Sequence, residues 1–218
     1  MAVTPLFDDQ LIIDGNDTVK LIPPRTPENL ALTVTACRFP ITQQEVSRSD
    51  GVYLYTDSVW TLSTTDTPNQ TVQPRWVLKP DDGITHTILN VAFSPIASFW
   101  RVVTRDLSFN NSLFEFMEVW RPLRVRTDDA GRQIKDFSFY ARLKCRVQPM
   151  DKPKIKQFES DTLDVSYEIP IEYDPGILLS DQIRLEDHRI LEIEGLRTPE
   201  EINMLPVVEA CFRGGKWE

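Results

Sequence analysis

Glycine is scarce in this chain, with eight among 218 residues against sixteen prolines. So few scattered glycines cannot build a phosphate-cradling loop. Prolines cannot donate to a ladder, so sixteen of them mark strand ends and loops. Cysteine is nearly absent too, and the three present, at 37, 145 and 211, are an odd number without metal-ligand spacing. They read as small buried hydrophobes and not as a disulfide framework. There are only two histidines, His86 and His188. No nucleophile has a histidine beside it in a recognisable motif, which leaves no triad. Asp81-Asp82 and Asp128-Asp129 each sit close to a glycine, where turn formation explains them better than acid–base work. No enzyme activity, cofactor or metal site is expected.

Positive charge is also short. The formal net charge is −9, which argues against the basic stripe of a sequence-reading nucleic-acid binder. It does not exclude DNA passing nearby, because an acidic wall lets a polyanion slide without sticking. Met1–Asp9 holds no basic run, and no apolar stretch approaches membrane-spanning length. Folding in a reducing cytosol, with no membrane partner, is the expectation.

What the chain does have is repetition. Sliding the first half forward by 105 positions lands Leu78 on Ile183, Asp82 on Asp187, Ile88 on Ile193 and Val91 on Leu196. The same shift puts Trp100 on Leu205 and Val102-Val103 on Val207-Val208. Leu32–Pro40 echoes Arg142–Pro149, with Cys37 and Cys145 placed 108 apart. The pattern reads as a tandem duplication of one β-domain. A hydrophobic content of 41% with 26% charged residues suits two such domains with real cores.

Alternation of apolar and polar residues supplies the strands. The first domain, 18–109, is expected to hold strands at Thr18–Ile22, Leu30–Arg38, Val52–Leu62, a hairpin around Pro80–Gly83 and a closing strand at Phe99–Leu107. Residues 1–17 form an acidic arm, and Ile41–Gly51 reads as a polar loop. Ser108–Ser112 is the expected boundary. The second domain, 113–213, opens with Leu113–Arg121 and continues through a turn at Asp128–Gly131 to a long central strand, Phe137–Val147. A hairpin around Glu186–Arg189, one helical turn in Thr198–Leu205 and a last strand from Val207 follow, before a flexible tail at 214–218. Leu143, Ile183, Ile193 and Val207 are expected in the core.

Two features point to interaction. Lys152, Lys154 and Lys156 alternate along the loop Met150–Ser160 and share one side if it is extended. A plain solvated loop is the alternative. Arg121, Arg124, Arg126, Arg132 and Lys135 form a basic stretch suited to inter-subunit contact with an acidic surface, such as a second copy of this acidic chain.

At Leu179-Ser-Asp181-Gln-Ile183, Asp187–Ile193 and Val207–Phe212 the chain resembles the head–tail joining proteins of tailed bacteriophages, the head-closure or stopper connector family. Glu118-Val-Trp-Arg-Pro122, Ala130-Gly-Arg132 and Leu143–Pro149 fit the same layout. The second copy spans the family's length, while in the first Arg75-Trp76-Val77 replaces the Ser-Asp-Gln step. The resemblance implies an all-β fold of two tandem small β-barrels. It also implies a structural virion protein of the neck, made in the bacterial host cytoplasm. Such a protein forms a six-fold or twelve-fold ring between portal or adaptor and tail. The ring extends or closes a channel through which DNA passes without sequence-specific binding. Another tail-end ring protein, such as a terminator or baseplate adaptor, and a β-sandwich ligand-binding module are the alternatives. The last would need exposed aromatics on one face, whereas Trp60, Trp76 and Trp100 sit in apolar strands.

Overall fold

The computed structural model describes residues 17–67, 71–95, 98–127, 133–150, 165–202 and 204–216. The chain divides into two compact units, Met1–Leu107 and Ser108–Glu218. Both are all-β and antiparallel.

The first unit is a closed six-stranded barrel. Its strands are β1 (Asp17–Ile22), β2 (Leu32–Pro40), β3 (Ser58–Ser63), β4 (Val77–Pro80), β5 (His86–Ser94) and β6 (Phe99–Arg105), in the order β1-β2-β3-β6-β5-β4. Alternation decides which side chains point inward. Val19 and Leu21, Val34 and Ala36, and Trp60 and Leu62 meet Leu78, Ile88 and Val102 in one core. At the β4–β5 turn the Gly83 N–H donates to the Pro80 carbonyl at 3.1 Å, and Gly83 takes a φ of +75° that a Cβ would strain.

Three first-unit expectations need correction. The closing strand expected through Leu107 ends at Arg105, and Leu107–Asn110 forms a short helix running into the expected boundary. The polar stretch after Ile41 contains a helix, Gln43–Arg48, started by a capping box in which Thr42 and Glu45 satisfy each other's backbone N–H groups. Its Val46, with Tyr53, covers Ile41, Val59 and Val103 outside the barrel. The strand expected from Val52 begins only at Ser58, because the Asp57 carboxylate accepts the Leu54 N–H at 2.8 Å and holds a turn. Asp57 also takes a bidentate pair from Arg105, at 2.7 and 2.8 Å, with both side chains buried.

The second unit is a seven-stranded sheet and not the second closed barrel expected. Its strands are β7 (Glu115–Thr127), β8 (Gln133–Cys145), β9 (Gln148–Pro149), β10 (Val165–Pro170), β11 (Gln182–Leu185), β12 (Arg189–Arg197) and β13 (Val207–Lys216), in the order β8-β7-β11-β12-β13-β10-β9. The long strand expected to run on through Val147 stops at Cys145, and laddering resumes at Gln148. The pairing order therefore has two ends. The described residues of 198–205 make bends and turns in place of the expected helical turn.

Lateral pairing corresponds strand by strand in the two units. Leu21 opposite Leu78 matches Val119 opposite Ile183. Val19 opposite Val34 matches Met117 opposite Leu143. Pro40 opposite Ser58 matches Pro149 opposite Tyr167, and Trp60 opposite Val102 matches Ile169 opposite Val208. Leu78 opposite His86 matches Ile183 opposite Leu191. The bulge between Ile88 and Asn90 returns between Ile193 and Gly195, where Ile88 opposite Thr104 matches Ile193 opposite Ala210.

This register moves three expected equivalences by one residue, among them Trp100, which lies two before Val102 and so matches Pro206 and not Leu205. Cys145 occupies the place of Ala36, not Cys37, since Asp17 faces Ala36 as Glu115 faces Cys145. Val102 corresponds to Val208, not Val207. A one-residue slip changes the face of the sheet, and Val207 is accordingly only half-buried while Val208 is wholly buried. Leu143, Ile183 and Ile193 are core residues, as expected. All three cysteines are buried and none is in a disulfide.

Candidate interaction surface: the β7–β8 ribbon

β7 and β8 pair along their whole lengths, from Glu115 opposite Cys145 to Thr127 opposite Gln133. β11 accompanies β7 only from Met117 to Trp120. Beyond that point Arg121–Thr127 and Gln133–Ser138 have only each other as ladder partners among the described residues. They form a ribbon that leaves the sheet. In the first unit the matching connection is Pro23–Ala31, too short and too proline-rich to pair with itself, with one 3-10 turn at Glu28–Leu30.

Two register shifts mark the ribbon's departure, one between Val119 and Trp120 and one between Pro122 and Arg124. Pro122 has no N–H for the ladder, which suits a bulge. Arg121 anchors the base. Its Nε and Nη2 donate to Asp181 Oδ1 and Oδ2 at 3.0 and 2.9 Å, and Nη2 also reaches the Gly176 carbonyl at 2.8 Å. The guanidinium lies over the Tyr140 ring at 3.7 Å, while Tyr140 Oη donates to the Pro175 carbonyl at 2.8 Å. Asp181 is fully buried on its side chain, and its Oδ2 also accepts the Leu178 N–H at 2.9 Å. Hydrogen bonding to Asp181 raises the Arg121 pKa further above its ordinary value. The loop itself is shaped by Asp174, whose Oδ1 accepts the N–H groups of Gly176 and Ile177 at 2.8 and 3.0 Å.

Of the five basic residues expected to act together, Arg121 is thus engaged inside its own unit. Arg126 pairs with Asp136 at 3.1 Å on the ribbon's surface, and Arg124 and Lys135 are exposed. Arg132 lies outside the described residues, as do Lys152, Lys154 and Lys156. Apolar groups accompany the charges: Leu123 is 75% exposed and Phe139 54%, with the Phe139 ring edge-on to Trp120 at 6.1 Å. Arg184 lies over the Trp120 ring, 3.8 Å from its centroid. Burial pulls the Arg184 pKa down, with Glu118 opposing.

Sequence reasoning missed Asp181 and Tyr140 as the ribbon's anchors. Arg121 and Asp181 are sixty residues apart, and only the β7–β11 pairing brings them together. It also missed the unusual place of His86. Neither ring nitrogen has a hydrogen-bond partner, and the ring packs edge-on against Trp60 at 5.6 Å. Burial, helped by Arg38, pushes the His86 pKa down to about 4.

These features describe an all-β chain of two units with matching strand order, the second carrying a basic ribbon. Among the described residues no cluster of three or more histidine, cysteine or acidic side chains is placed to hold a metal ion, and no helix is long and apolar enough to cross a membrane. A scan against protein-family models and a search of curated proteins each returned no match for this chain.

Proposed function

We propose that the chain is a structural protein of a tailed-phage neck: a ring that joins the portal or its adaptor to the tail and extends or closes the DNA channel. The carrying observation is the matched register of the two sheets, down to the bulge after Ile88 and Ile193. On this reading the second unit is the same barrel, interrupted at Arg146-Val147. Three contacts favour that. Cys145 bridges Ile171, the Arg146 N–H donates to the Pro170 carbonyl at 3.1 Å, and the Glu172 N–H donates to the Lys144 carbonyl at 3.1 Å. They join the far end of β8 to the continuation of β10, as β2 joins β3 in the first unit.

A ring of six such chains presents twelve like units. It fits a twelve-fold partner on one side and a six-fold tail on the other, within the closed symmetry that ring oligomers obey. The net charge of −9 suits a channel wall that DNA passes without sequence-specific adhesion. The ligand-binding-module alternative loses ground because Trp60 and Trp76 are core residues. Negative-stain microscopy and mass photometry of the purified protein test the proposal. Closed rings of chains about an open centre are expected. A protein that stays a compact monomer at every concentration would sink it.

A further inference from the structure

One end of the first barrel holds a polar group that strand packing does not require. His86 lies opposite the core residue Leu78, and its two ring nitrogens are buried without a hydrogen-bond partner. Its ring meets Trp60 edge-on at 5.6 Å. Trp60 Nε1 donates to Thr104 Oγ1 at 3.1 Å, and that hydroxyl donates to the Ser58 carbonyl at 3.4 Å. Trp60, His86 and Thr104 are all buried. By the matched register their places in the second unit are taken by Ile169, Leu191 and Ala210, also buried. Three apolar side chains therefore satisfy the same lattice, and the polar set is particular to the first unit.

The rim over this set is charged and loosely tied. Arg38, near the end of β2, has its Cζ 5.5 Å from the Trp60 ring centroid, and its Nε and Nη2 donate to Ser58 Oγ at 3.1 and 3.0 Å. Its Nη1 stands 4.0 Å from Asp82 Oδ2, the two side chains being 41% and 44% exposed. Charges reach the imidazole from three elements. Arg38 on β2 disfavours a proton there, while Asp106 after β6 and Asp82 in the β4–β5 turn favour one. Trp60 and Thr104, from β3 and β6, are uncharged, and Arg105 is held by Asp57. An imidazolium in the place of the neutral ring would be buried without a partner beside a guanidinium. The rim offers it carboxylates.

We propose that His86 is an acid-triggered latch on this end of the first barrel: a proton drives the ring away from Trp60 and out to Asp82 and Asp106, opening the rim while the core below stays folded. The latch is independent of the ring reading above. Neutral His86 keeps it closed, and the core it leaves in place is the set around Val19, Leu21, Leu62 and Ile88. A released ring titrates near the ordinary 6.5, whereas burial holds the closed one down to about 4. Each pH unit dropped between those values favours release about tenfold, roughly 300-fold in all, with no further gain below about pH 4.

The test follows the whole chain, labelled with fluorotryptophan, by fluorine NMR as pH falls from about 7 to about 4. Trp60→Phe assigns the Trp60 resonance among those of the five tryptophans. That resonance should shift to a solvent-exposed position in step with protonation of the His86 ring, while the other tryptophan resonances and the far-ultraviolet circular dichroism hold. His86→Leu should keep Trp60 at its neutral-pH position throughout. Asp82→Asn removes a carboxylate that favours the proton but keeps an acceptor for the Ile84 N–H. It should lower the midpoint of release by about half a pH unit. A Trp60 resonance that never moves, that moves only as the whole sheet melts, or that moves equally in His86→Leu would overturn the latch. So would an unchanged midpoint in Asp82→Asn, a variant that leaves the core untouched and decides the matter even if His86→Leu does not fold.

Discussion

His86 in the first unit and Leu191 in the second stand at the same place in the same lattice of strand pairs, each opposite the matching residue of the preceding strand. One is an imidazole with two unpartnered nitrogens, the other a plain aliphatic core residue. Both sheets tolerate their occupant because the position asks only for volume. The larger differences lie in the connections. In the first unit a capped helix and the Arg105–Asp57 pair secure the end where β3 begins and β6 finishes. In the second unit the corresponding pair is the half-buried Arg121 with the buried Asp181, at the opposite end, where β11 begins and the ribbon departs. A shared lattice fixes which strands adjoin, and the two units differ mainly in their loops.

The sharpest way to break this comparison is at the two ion pairs with buried carboxylates. Asp57→Ala strands the buried Arg105 charge and should destabilise the first unit by about 3–5 kcal/mol, whereas Asp181→Ala leaves an Arg121 that is 29% exposed and should cost the second unit less, about 2–3 kcal/mol. Denaturant titration reads the loss. Equal costs would show the two pairs to be equivalent clasps at opposite ends. A loss in Asp181→Ala below about 1 kcal/mol would demote the ribbon's anchor to a surface pair.

Protonation separates the units next. The folded pKa of His86, about 4, lies below the ordinary 6.5, so the unfolded chain binds more protons between those values. First-unit stability is then fullest above about pH 6.5, falls as pH drops, and levels off below about pH 4, a total of about 3 kcal/mol. Leu191 gives the second unit no counterpart at that position. His86→Leu should remove this part of the pH dependence and raise stability at neutral pH by relieving two unpaired polar atoms. A His86→Leu variant with the wild-type pH profile between 4 and 7 would disprove the assignment.

Smaller effects sharpen the register. Val208→Ala should cost roughly 2 kcal/mol, and Val207→Ala clearly less, because only Val208 is wholly buried. The reverse order would restore the alignment of Val102 with Val207. Last, Thr42→Ala removes the capping box of a short helix that the second unit does not share among its described residues. A loss of about 1 kcal/mol, confined to the first unit's melting transition, is expected.

Much of this was legible in the chain. Strict alternation marked most strands, and glycine or aspartate marked the turns, because both signals depend on neighbours in sequence. A recurrence was legible in the pairs Leu78 with Ile183 and Ile88 with Ile193, which the strand pairing places at matching positions. The Thr42–Glu45 spacing also announced a helix start, and it went unread because the segment is polar and short. The equivalences at Cys37 and Val207 failed by one residue for a different reason. The two units differ in the lengths of their connections, so no single offset fits every strand.

What the sequence determined by itself, then, is where strands and turns fall and that they recur, since side-chain periodicity is a local property of the backbone. Only the tertiary structure decided how the second sheet is paired, where β8 is interrupted, and which residue of each adjacent pair faces inward. Bulges and unequal loops reset the parity between strands, and nothing local records that. The same holds for the arginines. Arg121 and Arg124 are the same residue type three positions apart, yet one is tied to a buried carboxylate sixty residues away and the other is exposed. That distinction exists only once β11 lies beside β7.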